Sequence, residues 1–547
     1  MGVASVHSND SIRGAKQKKD SCAHGSLTHS NASDKDANAT ERQDTANTSE
    51  LVRNRSTLQV AFMSFVLASI PYGLSTTMFY PLINGGPVTI IWGWLAVSLI
   101  IICVAASLGE ITSVYPTAGG VYYQTFMLSP VRWRKLAAWT CGWSYVAGNI
   151  LITLAVNFGT TTFLVGCINV FESEIGIGGL ASETYQQFLI FVGITLVCNA
   201  VSALGNRWLP LLDTFAIFWT FAGLIATIAC ILALAKNGRH SADYVFGHFE
   251  PMSGWTSGWA FCVGLLQAAY ATSSTGMIVS MCEEVQNPSV QVPKAMVGAV
   301  ILNTFAGLLF LIPLVVVLPD LSELVTIASS QPVPVILKSA VGNSGGAFAL
   351  LIPLIVLAML CGIGCTTAAS RCVWAFARDG AIPGSHLWNR VDKSLNMPLN
   401  AMMLSMIVQI ALGLIYFGSV TAFNAFSSSG VIFLTVSYAV PIAASLFTGR
   451  KQVKNASFNL GVCGVFCNAV ALCWTALAVP LFCMPTYLPV TAETVNYACV
   501  VFVAVIVIAS GWYWIWGHKN YQGPLENGIP VGVEHHTSDI SSEEVVI

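Results

Sequence analysis

From residue 58 onward the chain is a succession of long apolar stretches, separated by short segments that hold most of the charges and many of the Pro and Gly residues. A helix needs about 20 apolar residues to cross the hydrocarbon core of a bilayer. Read on that scale, the pattern predicts spans at 58–82, 88–110, 137–168, 186–205, 209–235 and 257–280. The second half predicts spans at 295–318, 345–371, 399–418, 423–447, 459–483 and 494–517. Asn206-Arg207-Trp208 is a short link, and Pro210 just beyond it predicts a turn rather than one fused helix. The first fifty residues are rich in Ser, Thr, Asn and Asp, lack the pattern and are expected to be disordered. They show no signal peptide, so the first span is expected to direct insertion itself.

Composition agrees with lipid as the main solvent. Of 547 residues, 55% are hydrophobic and only 9% charged, with a mean hydropathy of +0.68, whereas a soluble domain carries roughly a quarter charged residues. With the N-terminus placed inside, all of the 24 Lys and Arg except Lys236, Arg239 and Lys338 fall on the predicted inner side, as the positive-inside rule requires. A wrong number of spans would scramble that alternation. The net charge of −2 gives no basic excess for nucleic acid. Sixteen Cys sit mostly singly within apolar runs. Cys361/Cys365 and Cys463/Cys467, one helical turn apart, read as small packing residues rather than metal or redox pairs. No metal site and no cofactor are expected. A membrane enzyme would need a His-centred cluster at an interface, and no H-E-x-x-H pattern is present. A Walker motif is also absent, so nothing points to ATP as the driving force.

Candidate chemistry lies where a span is interrupted. Transporters hold solute near the bilayer midplane at discontinuous helices in corresponding places of two halves. Span 1 carries Ser69, Ile70, Pro71, Tyr72 and Gly73 at its centre; Pro71 removes a backbone donor and Gly73 permits left-handed dihedrals. Span 6, where a five-plus-five inverted repeat places the counterpart of span 1, carries Tyr270 and then Thr272, Ser273, Ser274, Thr275 and Gly276. Trp143 and Tyr145 are further aromatic candidates. No Asp, Glu, Lys or Arg lies at either interruption. A zwitterion's carboxylate would then rest on backbone N–H groups, and its ammonium on carbonyls, hydroxyls and aromatic faces. Ionisable groups in spans are functional by default, which makes Glu110, Asp213, Glu283 and Glu284 coupling or gating candidates. Arg371, Arg378 and Asp379 are their possible partners.

Several strings carry a family resemblance: GEITSVYPTAGGVYYQ at 109–124, EEVQNPSVQVPKAM at 283–296, TTAASRCVWAFARDGAIPGS at 366–385, NMPLNAMMLSMIVQIALGLIYFGS at 396–419 and FCMPTYLPVTAETVNYACVVF at 482–502. In these the chain resembles the amino acid–polyamine–organocation superfamily, specifically the fungal amino acid/choline transporters that include GABA and choline permeases. The resemblance covers roughly residues 55–525. It implies an all-α, LeuT-like fold of five plus five inverted helices with two extra C-terminal helices. The expected organisation is a cytosolic tail at 1–56, a twelve-helix domain at 57–519 and a cytosolic tail at 520–547. Within the domain the repeats fall at about 58–235 and 257–447, and the extra helices at 459–517. The resemblance also implies solute contacts from spans 1 and 6, supported by spans 3 and 8. Many members carry an aromatic and an acidic residue around the sixth-helix break, where this chain has Thr and Ser.

The expected activity is secondary active uptake, driven by a proton or other cation gradient, of a small amino acid or GABA-like solute. Choline is the alternative, since aromatics and hydroxyls can hold a quaternary amine without a carboxylate. A non-transporting nutrient receptor is a more remote reading. The expected partners are the solute, H+, the lipid bilayer and, through tail lysines such as Lys16, Lys18 and Lys19, a ubiquitin ligase adaptor. The expected location is the plasma membrane, with a vacuolar membrane as the other possibility.

Overall fold

The computed structural model describes residues 57–171, 183–235, 239–326, 331–392, 394–417, 422–491, 495–526 and 529–530; the N-terminal tail and its lysines lie outside them. Among the described residues twelve helices are long and apolar enough to cross a membrane. They are Ala61–Ile83, Pro87–Val114, Arg134–Phe171, Thr184–Leu204, Asn206–Ala233 and Ser257–Glu284, followed by Pro288–Val316, Ser344–Arg378, Leu399–Phe417, Phe423–Phe447, Cys463–Leu481 and Ala498–Asn520. Each overlaps one predicted span. The link Asn206–Trp208 is a single tight helical turn, so spans 4 and 5 are separate helices. The ten-residue helix Pro332–Val341 is too short to cross.

The spans divide into an inner and an outer set. Of each span's most apolar stretch, 94% is buried in span 6 and 89% in span 1, against 33% in span 11 and 11% in span 12. Spans 1, 3 and 6 therefore form the centre, and the last two helices present most of their surface to lipid. Lipid tails are as apolar as Leu, so close contact between helices rests on packing and small residues rather than on water exclusion. Spans 3 and 10 show the device. Gly148 faces Leu434 and Gly430 faces Ile152, and a Cβ on either glycine would lie 2.8 Å from the opposing side chain.

Spans 1 and 6 run antiparallel. At one end of the bundle, Asn84–Gly85 after span 1 pairs with Glu250–Pro251 before span 6. Midway, the Gln267 side chain donates to the Leu74 carbonyl at 2.8 Å. At the opposite end, Glu284 closes span 6 beside Arg371 of span 8. These are called below the Asn84 end and the Arg371 end.

Candidate functional site

Span 1 is interrupted at one residue. Thr57–Ala68 and Ile70–Thr76 are separate helical segments, and Ser69 between them is left-handed, with φ 40° and ψ 53°. That conformation is costly for a residue with a Cβ and persists where the surroundings over-determine it. Here Ser69 Oγ donates to the Val66 carbonyl, and Pro71 follows without an N–H. The carbonyl that Pro71 leaves without its helical partner is that of Leu67, and it accepts from the thiols of Cys361, at 3.6 Å, and Cys365, at 4.0 Å. The sequence pattern assigned the left-handed position to Gly73. The structure puts it at Ser69, because Gly73 is already inside the second half-helix, its N–H bonded to the Ser69 carbonyl at 2.9 Å.

Span 6 changes its winding rather than unwinding. Leu266–Thr272 is α-helical, and Ser273–Glu284 continues as a 3₁₀ helix of 12 residues. Runs of that length are uncommon and often mark a hinge. The hydroxyls take part in this. Thr272 Oγ1 donates to the Ala268 carbonyl, Ser273 Oγ to that of Tyr270 and Thr275 Oγ1 to that of Thr272; such bonds compete with the regular ladder. Two tyrosines bind the carbonyls of the tightened segment. Tyr438 Oη donates to Ser273 O at 3.1 Å, and Tyr145 Oη to Gly276 O at 3.2 Å.

The two distortions meet around a narrow cavity lined by Ala68, Tyr72 and Gly73 of span 1, Val156 of span 3, Tyr270, Ser273 and Ser274 of span 6, and Cys361 of span 8. No Asp, Glu, Lys, Arg or His lines it. Tyr72 is pinned to span 3, its hydroxyl donating to the Val156 carbonyl at 2.8 Å and lying 2.9 Å from Thr160 Oγ1. The Tyr270 hydroxyl is buried and has no hydrogen-bond partner among the described residues. The walls leave water-sized space, so a solute needs them to move apart. Ser69, Ile70 and Pro71 shape the cavity from within the bend rather than line it, as Thr272, Thr275 and Gly276 do from the far side of span 6. Trp143 and Tyr145 are elsewhere: Trp143 packs on Trp139 and Phe376, and Tyr145 serves the Gly276 carbonyl. Cys361 and Val156 were not singled out from sequence, and the spacing Cys361/Cys365 was the available signal for the first.

The charged candidates gather at the Arg371 end, in three groups. Arg371, 1% exposed, binds Glu284 through Nε and the Thr367 carbonyl through Nη1. Its Nη2 is 3.4 Å from Asn206 Oδ1, and the Asn206 amide donates to the carbonyls of Leu395 and Asn396. Spans 6 and 8, the 4–5 link and the 8–9 link are thereby joined. Glu283 Oε1 accepts from the Ala118 N–H at 3.3 Å and lies 3.6 Å from Arg378. Tyr122, in the short helix Gly120–Leu128, donates to Asp379 at 2.6 Å; burial and the adjacent Asp379 hold its phenol well above the usual range, so it stays a donor. Glu110 meets Arg450 with both oxygens, at 2.5 and 2.7 Å, and accepts from the Leu460 N–H. The remaining acid, Asp213, is in span 5. It is 8% exposed and borders a second cavity beside Met63 and Val66 of span 1, Met281 of span 6 and Gly364 and Thr367 of span 8.

The amino acid permease family profile matches residues 56–505. The chain belongs to the amino acid permease family. Among relatives of this permease, an amino-acid permease of Schizosaccharomyces pombe is 31% identical over 87% of this chain and 87% of its own. The choline transporter of Saccharomyces cerevisiae is 30% identical over 85% of this chain and 81% of its own. A polyamine transporter of the same yeast is 31% identical over 85% of this chain and 75% of its own. The family is one of transporters, not enzymes, and this permease is a multi-span membrane transporter of the same superfamily. The two distorted spans and the ion pairs at the Arg371 end all lie inside the matched region.

Proposed function

We propose that this permease carries a small amino acid or GABA-like solute, bound in the cavity between spans 1, 3, 6 and 8, and that the transport is secondary active uptake driven by protons. The observation that carries the solute class is the lining itself. Backbone, hydroxyl, thiol and aromatic groups surround the cavity, with no carboxylate among them. A polyamine, bearing several positive charges, would leave them uncompensated in such a site. A zwitterion brings its own counter-charge, and the buried Tyr270 hydroxyl and the Ser274 hydroxyl supply hydrogen bonds. Choline is the second reading, favoured by the aromatic faces of Tyr72 and Tyr270 and by the kinship with a choline transporter.

Asp213 is the proposed proton site. Glu110, Glu283 and Glu284 are each joined to an arginine at the Arg371 end, where the last two are assigned to closure. Asp213 borders the cavity shared with spans 1, 6 and 8, so gain of a proton there changes the charge behind the Ser69 bend. Closure at the Arg371 end is assigned to Arg371–Glu284 and Arg378–Glu283. Glu283 also holds the Ala118 backbone, so this closure involves the TAGG loop. Placement in the plasma membrane and regulation of the N-terminal tail by a ubiquitin ligase adaptor are part of the same proposal.

The test is labelled-solute uptake in cells lacking their own permeases, with GABA, neutral amino acids, choline and spermidine in competition and with or without a protonophore. Protonophore-sensitive accumulation of GABA or a neutral amino acid is expected. Accumulation of spermidine alone would refute the solute class, and accumulation indifferent to the protonophore would refute the coupling. Binding without accumulation would point to a receptor.

A further inference from the structure

Behind span 6, on the side away from the solute cavity, lies a larger cavity between spans 2, 6, 10 and 11. Its walls include Val104, Gly276, Tyr438, Ile442, Ala471 and Trp474, and none of its lining residues is Asp, Glu, Lys, Arg or His. A cavity with such walls would by itself suggest only loose packing. Its floor is what points to a ligand.

Each of the three spans that wall it off from lipid contributes one buried polar side chain on the face that lines the cavity, three residues nearer the Arg371 end. Ser107 follows Val104 in span 2, Ser445 follows Ile442 in span 10, and Asn468 precedes Ala471 in span 11. Three residues of helix are about 4.5 Å, and positions three apart share a face, so the three groups lie at one depth. Spans 2, 10 and 11 pack against one another, and Cys467, next to Asn468, interacts with both Cys103 and Glu110 of span 2, which lie one turn to either side of Ser107. Ser107 is 0% exposed, and Ser445 and Asn468 are 1% exposed each. Yet the Ser107 and Ser445 hydroxyls and both the oxygen and the nitrogen of the Asn468 amide have no partner among the described residues. Many hydroxyls elsewhere in the spans bond back to a carbonyl four residues earlier, as Thr153, Thr160 and Thr220 do, and other unpartnered ones, Ser98, Thr195 and Thr366, are scattered over spans 2, 4 and 8. Unpaired polar groups at membrane depth are costly, and here two hydroxyls and a whole amide are left open beneath one cavity.

We infer that this cavity binds a neutral amphiphile, a molecule with one hydroxyl on an apolar body, its hydroxyl seated on Asn468, Ser107 and Ser445 and its body against Ala471 and Trp474. A hydroxyl both donates and accepts, which matches an amide offering one of each. The head is uncharged because the nearest charges, Glu110 and Arg450, are closed on each other one turn beyond Ser107. The occupant's body touches the 3₁₀ segment from behind, at Gly276 and at Tyr438, whose hydroxyl holds Ser273. If Ser273 and Ser274 face the solute, as proposed above, occupancy also alters transport; the binding itself does not depend on that reading.

The experiment uses the full-length permease in sterol-free phosphatidylcholine nanodiscs and a diazirine-bearing octanol, with adducts mapped by mass spectrometry. Adducts are expected in 431–442 and 471–475, reduced at least tenfold by Asn468→Leu, which removes the amide, and by Ala471→Phe, which fills the cavity. Thermal unfolding of both variants is followed, and the Ala471→Phe result decides if Asn468→Leu fails to fold. Competition by a sterol added to the discs identifies the source as a membrane sterol; competition by octanol alone identifies a small free alcohol. Labelling spread over the lipid-facing surface and indifferent to both substitutions would overturn the inference, as would stronger protection by octanoate than by octanol. If labelling is as expected but the alcohol leaves wild-type uptake unchanged, the site stands and the placing of Ser273 and Ser274 in the solute path fails.

Discussion

The hydroxyl of Tyr438 donates to the carbonyl of Ser273 at 3.1 Å, across the gap between span 10 and the point where span 6 changes from α to 3₁₀ winding. This bond fixes the wall of the solute cavity from behind. Tyr438→Phe keeps the ring and removes the donor, at a cost of about 1–3 kcal/mol for a buried acceptor left unsatisfied. Uptake kinetics are expected to show a raised KM with surface expression intact.

Gly276 lies against the same ring. A Cβ there would come within 2.5 Å of the Tyr438 ring, so even Ala forces the ring or the 3₁₀ segment aside. Gly276→Val is expected to abolish uptake in cells where surface biotinylation still detects the protein. Normal uptake by this variant would remove span 6 from the solute path.

The Arg371–Glu284 pair is buried and joined to the 4–5 and 8–9 links through Asn206. Removing one partner of a buried pair costs roughly 3–5 kcal/mol because the other charge is left uncompensated. Glu284→Gln and Arg371→Met are each expected to lower the unfolding temperature of the purified protein. The double substitution should cost less than the sum of the two. Additive losses in that cycle would show that the two side chains act separately.

Asp213→Asn tests the coupling assignment. Uptake by the wild type is expected to fall as external pH rises and to collapse with a protonophore. In the variant, residual transport should lose its pH dependence, while Glu110→Gln, whose partner is Arg450, should retain it. The opposite pattern would transfer the proton to Glu110.

Much of this was legible in the sequence because lipid imposes simple rules. Twenty apolar residues per span and the bias of Lys and Arg gave all twelve helices, and Pro210 correctly separated spans 4 and 5. The clusters at Ser69–Gly73 and Thr272–Gly276 marked where helices 1 and 6 are distorted. What the sequence did not reveal is how each distortion is made. Propensity assigned the left-handed position to Gly73, but hydrogen bonds from Ser69 and the loss of a donor at Pro71 place it four residues earlier. Four consecutive hydroxyls suggested an opened segment, whereas their bonds to nearby carbonyls and the donors from Tyr145 and Tyr438 keep it wound as 3₁₀. Cys361 and Cys365 read as packing residues because their target, the Leu67 carbonyl, is about 300 residues away in sequence and becomes available only through the bend.

If solute binds between the two distorted spans, the KM of Tyr270→Phe/Ser274→Ala must register it. Neither substitution removes a hydrogen bond seen within the protein among the described residues, so both should fold as the wild type does. Two hydrogen bonds to the solute at about 0.5–1.5 kcal/mol each predict a KM for the transported solute raised roughly tenfold, with surface expression unchanged. An unchanged KM, at equal expression, would contradict the site.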